Sequence, residues 1–421
     1  MNINLIKILT IISILAVLTG CKNKPELNLS TNTTPSITPA ITNAAETLAP
    51  VSTATPKPTS TVTPTPTQLP TKSPTQSPTA EPTPAANESK AEEILKGMTI
   101  EEKVGQLFFV RCIGEQALSD IEKYSLGGYI LFGEDFKDKT IKDVKNIIAG
   151  YQNKSKIPML IGVDEEGGTV NRLSKYQAFR AVPFKSPQDL YKVGGFDLIK
   201  SDTKEKADLL LSLGINVNLA PVCDVSTDDN DFIYKRAFGK NADQTSQYVK
   251  TVVSIMQKNG IGSTLKHFPG YGNNVDTHTG IAIDHRSYIN FEKSDFLPFK
   301  AGIKAGAGSI LVSHNVVLSM DKDYPASLSP KVHSILRREL GFPGVIITDD
   351  LSMDAIKEYT NEEEAAVQAI IAGNDLVIAT DYNTQIPAVL NAIRNGKITE
   401  DRIDESVIRV LTWKLNLGIM N

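Results

Sequence analysis

Eight short apolar runs punctuate the chain between residues 107 and 379: Leu107 to Val110, Gly128 to Phe132, Met159 to Val163, Val217 to Pro221, Gly262 to Leu265, Ser309 to Val312, Val345 to Ile347 and Leu376 to Ala379. Each is four or five residues long or slightly less, is bounded by polar or turn-forming residues, and reads as a buried strand. Amphipathic stretches with helical spacing lie between most of them: Ile141 to Asn153, Lys204 to Leu213, Thr245 to Lys258, Pro298 to Ala305, Lys331 to Leu340 and Glu362 to Ala372. Strands alternating with helices predict a parallel sheet, and the count of eight favours a closed (β/α)8 TIM-type barrel over a doubly wound open sheet. Several runs end on a polar group: Val163 on Asp164, Leu265 on Lys266 and His267, Val312 on Ser313 and His314, Ile347 on Thr348 and Asp349. In a barrel these ends converge on one mouth, where binding and catalytic groups are expected. Folding should begin near Asn87, and Thr99-x-x-Glu102 has the spacing of a capping box opening a helix.

The N-terminal fifth follows other rules. Lys7 precedes an apolar run from Ile8 to Leu18, and Leu18-Thr19-Gly20-Cys21 follows it, as at a signal-peptide cleavage site. The apolar core is short of the roughly 20 residues of a membrane span. The segment resembles the lipobox of bacterial lipoproteins, which implies cleavage before Cys21, a lipid on its sulfur, and export to the outer face of the bacterial cytoplasmic membrane. From Lys22 to Ala86 there is no Phe, Tyr or Trp, and 13 of the chain's 23 prolines fall there. Such a stretch has too little apolar surface to fold and is expected to be an extended tether. If wholly polyproline-like, its some 65 residues would reach on the order of 200 Å. The expected organisation is therefore a signal peptide over 1–20, a lipidated Cys21 and Thr/Pro-rich linker over 21–90, and one barrel domain over 91–421.

Composition narrows the function classes. A formal net charge of -4 with well-mixed charges gives no basic surface for nucleic acid. Cys112 and Cys223 have no metal-type spacing and read as buried free thiols. Five histidines without an H-x-H or H-E-x-x-H pattern make a metal-dependent hydrolase a weak reading, and no metal or cofactor is expected.

The densest chemistry lies in KHFPGYGNNVDTHTG, Lys266 to Gly280. Glycine and proline make its second half a loop, which carries Asp276 and His278 two positions apart. In an extended segment such residues face the same way, so the carboxylate can orient the imidazole for proton transfer. In GVIITDDLSM, Asp349 directly follows a buried strand, and Asp350 beside it is the better candidate to cap a following helix. A carboxylate at a barrel mouth facing an acid on a loop is the layout of a retaining glycosidase.

These motifs together resemble family 3 glycoside hydrolases, in the bacterial β-N-acetylglucosaminidase branch, whose lines read approximately K-H-F-P-G-H-G, D-[ST]-H, D-x-E-G-G-x-V-x-R, R-[SA]-F-G and [ST]-D-D-L-S-M. The resemblance covers nearly all of residues 91 to 421 in family order. It implies that Asp349 is the nucleophile, that His278 is the general acid and then base with Asp276 polarising it, and that Asp164, Arg172, Arg236, Lys266 and His267 bind the sugar. It implies a carbohydrate partner, with peptidoglycan fragments suggested by export and the tether. The chain ends after the eighth expected helix, without the sandwich domain many members carry, so the acid is expected from the barrel loop. Two positions depart from the pattern: Tyr271 stands for the usual His, and Thr169 for the usual Arg. A phosphorylase, with phosphate in place of water, and a non-catalytic sugar-binding lipoprotein are the alternative readings.

Overall fold

The computed structural model describes residues 84–277 and 280–420, all within one compact unit. The expected signal peptide, Cys21 and nearly all of the Thr/Pro-rich tether lie outside the described residues, as does His278. Eight parallel strands form the barrel: β1 Phe108–Arg111, β2 Gly128–Leu131, β3 Leu160–Val163, β4 Val217–Asn218, β5 Gly262–Phe268, β6 Ser309–Val312, β7 Val345–Thr348 and β8 Val377–Ala379. Their order is β7-β6-β5-β4-β3-β2-β1-β8. A bridge between Ile347 and Leu376 joins the two ends of that list and closes the barrel.

Alternation along each strand sorts the side chains. Phe109, Ile130, Leu160, Val217, Leu311, Val345, Ile347 and Ile378 fill the lumen, while their neighbours, such as Phe108, Val110, Ile161 and Leu265, pack outward against the helices. Gly162 makes room for the Phe109 ring, because a Cβ there would come within 2.4 Å of its tip. At the opposite, N-terminal end, Trp413 and Val410 of the helix Glu400–Asn416 plug the lumen. Helix Pro84–Leu95 meets the same last helix, where Asn87 Nδ2 donates to Asn416 Oδ1 at 2.8 Å.

The eight runs became the eight strands, with three differences of physical origin. β4 stops at Asn218 instead of Pro221, since Pro221 has no N–H to give a ladder. β5 runs on through Lys266 and His267 to Phe268, so those two polar residues are part of the strand and do not follow it. The stretch Lys331 to Leu340 is not one helix: an α-helical Pro330–Ser334 passes into a π-helical turn, Ile335–Glu339. The capping box at Thr99 is formed, with the Glu102 carboxylate accepting from the Thr99 amide at 2.9 Å. Cys112 and Cys223 are buried free thiols, both pushed up in pKa by burial.

Among the described residues, one buried cation has no acid beside it. Lys414 is fully enclosed and its ammonium donates to Gln106 Oε1 at 2.6 Å, so burial alone drives its pKa down to about 7. Below that pH the fold carries a charge it disfavours, at a cost of about 5 kcal/mol. Between pH 7 and the ordinary lysine value near 10.5 the unfolded chain holds the proton and the folded chain does not, so stability rises with pH. Lys414→Met is therefore expected to raise the melting temperature by a few degrees at pH 7, with a gain that shrinks as pH approaches 10. A gain independent of pH in thermal melts would contradict this.

Candidate active site

The C-terminal ends of the strands carry an inward-facing ring of side chains one layer above the lumen core. By the same alternation, Arg111 follows Phe109 on β1, Phe132 follows Ile130 at the end of β2, Asp164 follows Gly162 at β3, Lys266 follows Thr264 on β5, Asp349 follows Ile347 at β7 and Thr380 follows Ile378 at β8. Asp164 and Asp349 extend strands whose last residues are apolar, which places their carboxylates at the mouth. Asp349 accepts from the Asp350 amide at 2.9 Å, and its own amide donates to Val312 O at 3.0 Å, tying it to β6.

Five predicted binding residues lie in one connected array. Lys266 Nζ stands 2.6 Å from Asp164 Oδ1 and 2.7 Å from Glu166 Oε1. Glu166, in the short hairpin Glu165–Gly167 and Val170–Asn171 that follows β3, also takes a two-pronged contact from Arg236, at 2.7 and 3.1 Å. Burial by itself would raise the Glu166 pKa, but Arg236 and Lys266 outweigh it and hold the carboxyl well below its usual range. The same acids keep Lys266 and Arg236 charged against burial, each with a raised pKa. Arg172 Nε lies 4.0 Å from Asp164 Oδ2, at the loose end of the array. Its backbone is fixed by the buried Glu165, which accepts from the amides of Arg172 and Leu173 at 2.9 and 2.8 Å.

His267 completes the array. Asp224 Oδ2 accepts from its backbone amide at 3.1 Å and sits 2.8 Å from Nδ1, while Arg236 Nη2 lies 3.0 Å from Nε2. A guanidinium can only donate, so Nε2 is the acceptor and the ring hydrogen is on Nδ1, given to Asp224. The other oxygen of Asp224 accepts from the Tyr271 amide at 2.7 Å, so one buried carboxylate locks both the histidine and the start of the following loop.

That loop carries Asp276 and leads to His278, which lies outside the described residues. Tyr271 occupies the position of the family's usual histidine. Its ring is buried, packs edge-on to His267 at 5.2 Å between centroids, and its hydroxyl meets Thr277 Oγ1 at 2.5 Å. Burial pushes the phenol pKa up, and the negative charge of Asp349 acts in the same direction. Asp349 thus lies close enough to this loop to be felt by it. Arg286 ties down the loop's first residues by donating to Gly270 O at 2.9 Å while bound to Asp284 and Asp295. Burial lifts the Asp295 carboxyl to about 6 despite that arginine.

Sequence reasoning missed Glu166 and Asp224, the two acids that organise the array. It also expected Asp350 to cap a helix. The helix Asp354–Lys357 instead starts after Met353, and Asp350 folds back on its own loop, accepting from the Ser352 amide at 2.9 Å. The carbonyl of Asp350 is 2.9 Å from His314 Nε2, so a buried histidine supports the turn beside Asp349.

Residues 99–413 match the profile of the glycosyl hydrolase family 3 N-terminal domain. Beta-hexosaminidase A of Pseudoalteromonas piscicida is 31% identical over 327 residues, which are 70% of this chain and 54% of that protein. The beta-hexosaminidase of Tolumonas auensis is 30% identical over 273 residues, 64% of this chain and 80% of that one. A family 3 β-N-acetylglucosaminidase structure from Paenibacillus superposes with a TM-score of 0.71 at 29% identity, covering 76% of this chain and 63% of that one. The chain thus spans about half the length of the first of these relatives and less than two thirds of the solved one. With an eight-stranded barrel, an acidic mouth and a family profile matched across most of its length, the chain belongs to glycosyl hydrolase family 3.

Proposed function

We propose that this protein is a retaining, exo-acting β-N-acetylglucosaminidase that removes terminal N-acetylglucosamine, from peptidoglycan fragments in its native setting. The observation that carries the reading is the mouth itself: Asp349 at the end of β7 shares one rim with the linked Asp164, Lys266, Glu166, Arg236 and His267. Carboxylates and charged donors in a fixed array suit the hydroxyls of one sugar ring, since each acid accepts two hydroxyl hydrogens and each cation offers several.

In the first step the Asp349 carboxylate forms a bond to the anomeric carbon while the bond to the leaving oxygen breaks, and that oxygen takes the proton of the His278 imidazolium. In the second, water attacks the same carbon, gives its proton to His278, and Asp349 leaves as carboxylate. Asp276 keeps the imidazole oriented and basic enough to serve both steps. Two inversions at one carbon give net retention. The lipid on Cys21 and the linker to residue 90 would hold the domain outside the cytoplasmic membrane, with reach into surrounding wall material.

His278→Ala tests the acid role in this reading. A good leaving group needs little protonation, so cleavage of an activated aryl N-acetylglucosaminide should suffer less than cleavage of a natural disaccharide, by a factor of about 10² when the first step limits. Equal losses on both substrates would remove His278 from the acid role.

A further inference from the structure

The loop that leads to His278 has an inward anchor that neither sugar binding nor the two chemical steps account for. Of the described side chains from Asn273 to Thr277, only that of Thr277 is fully buried, while Val275 is 62% exposed. Apolar burial therefore contributes little to holding this stretch. The contact on its inner side is between hydroxyls, with Thr277 Oγ1 2.5 Å from Tyr271 Oη.

Tyr271 is itself firmly set. Its amide donates to Asp224 at 2.7 Å, and its carbonyl accepts from the amide of Asn274 at 3.1 Å and from the Asn274 side chain at 3.0 Å. The same side-chain nitrogen of Asn274 donates to Asp284 at 2.7 Å, beyond the far end of the loop. The tyrosine ring packs with Val222 and Ile233 and stands edge-on to Phe232 and His267. A ring enclosed in this way leaves one place for its oxygen, and burial keeps the proton on it.

Placement in the chain gives the contact its consequence. Thr277 stands between Asp276 and His278, so a hydroxyl that fixes Thr277 limits both peptide planes on which those two residues are mounted. Asp224 takes the Tyr271 amide on one oxygen and His267 on the other. The sugar-binding half of the site and the acid-bearing loop are thus referred to one buried carboxylate.

We infer that Tyr271 is a positioning residue for the acid and base: its hydroxyl, through Thr277, holds Asp276 and His278 in register with the sugar array. This rests on the glycosidase reading above and adds to it the group that sets where the acid stands. The departure from the usual histidine then marks a different way of holding the loop.

Tyr271→Phe keeps the ring and removes the hydroxyl. On a natural N-acetylglucosaminyl disaccharide, kcat is expected to fall on the order of 10- to 100-fold, as for an acid displaced by up to an ångström, with KM changed less than about twofold. On an aryl N-acetylglucosaminide with a good leaving group, and with the first step limiting, the loss should stay below about threefold, since little protonation is needed. Thr277→Val should reproduce the defect, and Thr277→Ser, which keeps a hydroxyl, should stay close to wild type. Tyr271→Phe combined with Thr277→Val should be no worse than either alone, and in a His278→Ala background Tyr271→Phe should have no further effect. Equal losses on the two substrates, multiplicative losses in the combined variants, or a wild-type kcat for Tyr271→Phe on the disaccharide overturns the assignment. Hydrogen exchange read by mass spectrometry on the same chains needs no turnover. Tyr271→Phe should speed exchange over residues 276–280 and leave the barrel strands unchanged, and unaltered exchange over 276–280 overturns the assignment as well. If the wild type cleaves neither substrate, the glycosidase reading fails, and the exchange result alone decides whether Tyr271 holds the loop.

Discussion

Asp349→Ala is expected to lower kcat on an aryl N-acetylglucosaminide on the order of 10⁴-fold or more, while KM changes little. The reasoning is that the carboxylate contributes to the transition state by forming a bond, whereas the sugar is held by the array on β3 to β5. The substitution removes the acceptor of the Asp350 amide, but the hydrogen bond from the residue's own amide to Val312 O and the His314 contact to Asp350 O use backbone atoms and stay in place. The variant should therefore melt close to the wild type. A variant that retains a tenth of wild-type kcat would mean that the attacking group is elsewhere.

Glu166→Gln is expected to damage both binding and stability. The substitution keeps the shape but removes the one negative charge that lies between Arg236 and Lys266. Arg236 is then left without its carboxylate and Lys266 keeps only Asp164, two cations in one buried site, at a cost of about 3 kcal/mol of stability. kcat/KM should fall about 10²-fold, carried mainly by KM, because Arg236 and Lys266 lose their fixed positions. The pH dependence follows from the lowered pKa of Glu166. Its stabilising share is complete above the ordinary glutamate value of 4.5 and is lost as pH falls through the lower folded value. The wild type should thus lose more stability than Glu166→Gln on acidification below about pH 4.5, so the two melting curves converge. Parallel curves would show that Glu166 is not the charge that holds the array.

The barrel was legible because its strands are buried on both faces and read as uninterrupted apolar runs, and because eight of them repeat with helices between. Strand ends were less legible. Lys266 and His267 look like residues that follow a strand, yet β5 carries them, since their charges are met by Asp164, Glu166 and Asp224 from neighbouring loops. Asp164, Arg236, Lys266 and His267 were singled out from motifs and do meet in space. Glu166 was missed because it stands in a doublet with Glu165, and only the hairpin's geometry shows that one supports backbone amides while the other faces the cations. Asp224 follows a buried cysteine in an irregular segment, where no periodicity marks it.

The central claim is that Asp349 attacks the sugar carbon, and covalent capture tests it most directly. An N-acetylglucosaminyl fluoride that also carries fluorine on the ring, which slows the second step, should leave one sugar on the protein, detected by intact mass and located by peptide sequencing. The account predicts the adduct on Asp349, with none formed by Asp349→Ala. A sugar found on another side chain, or steady turnover of that reagent through Asp349→Ala, would contradict it.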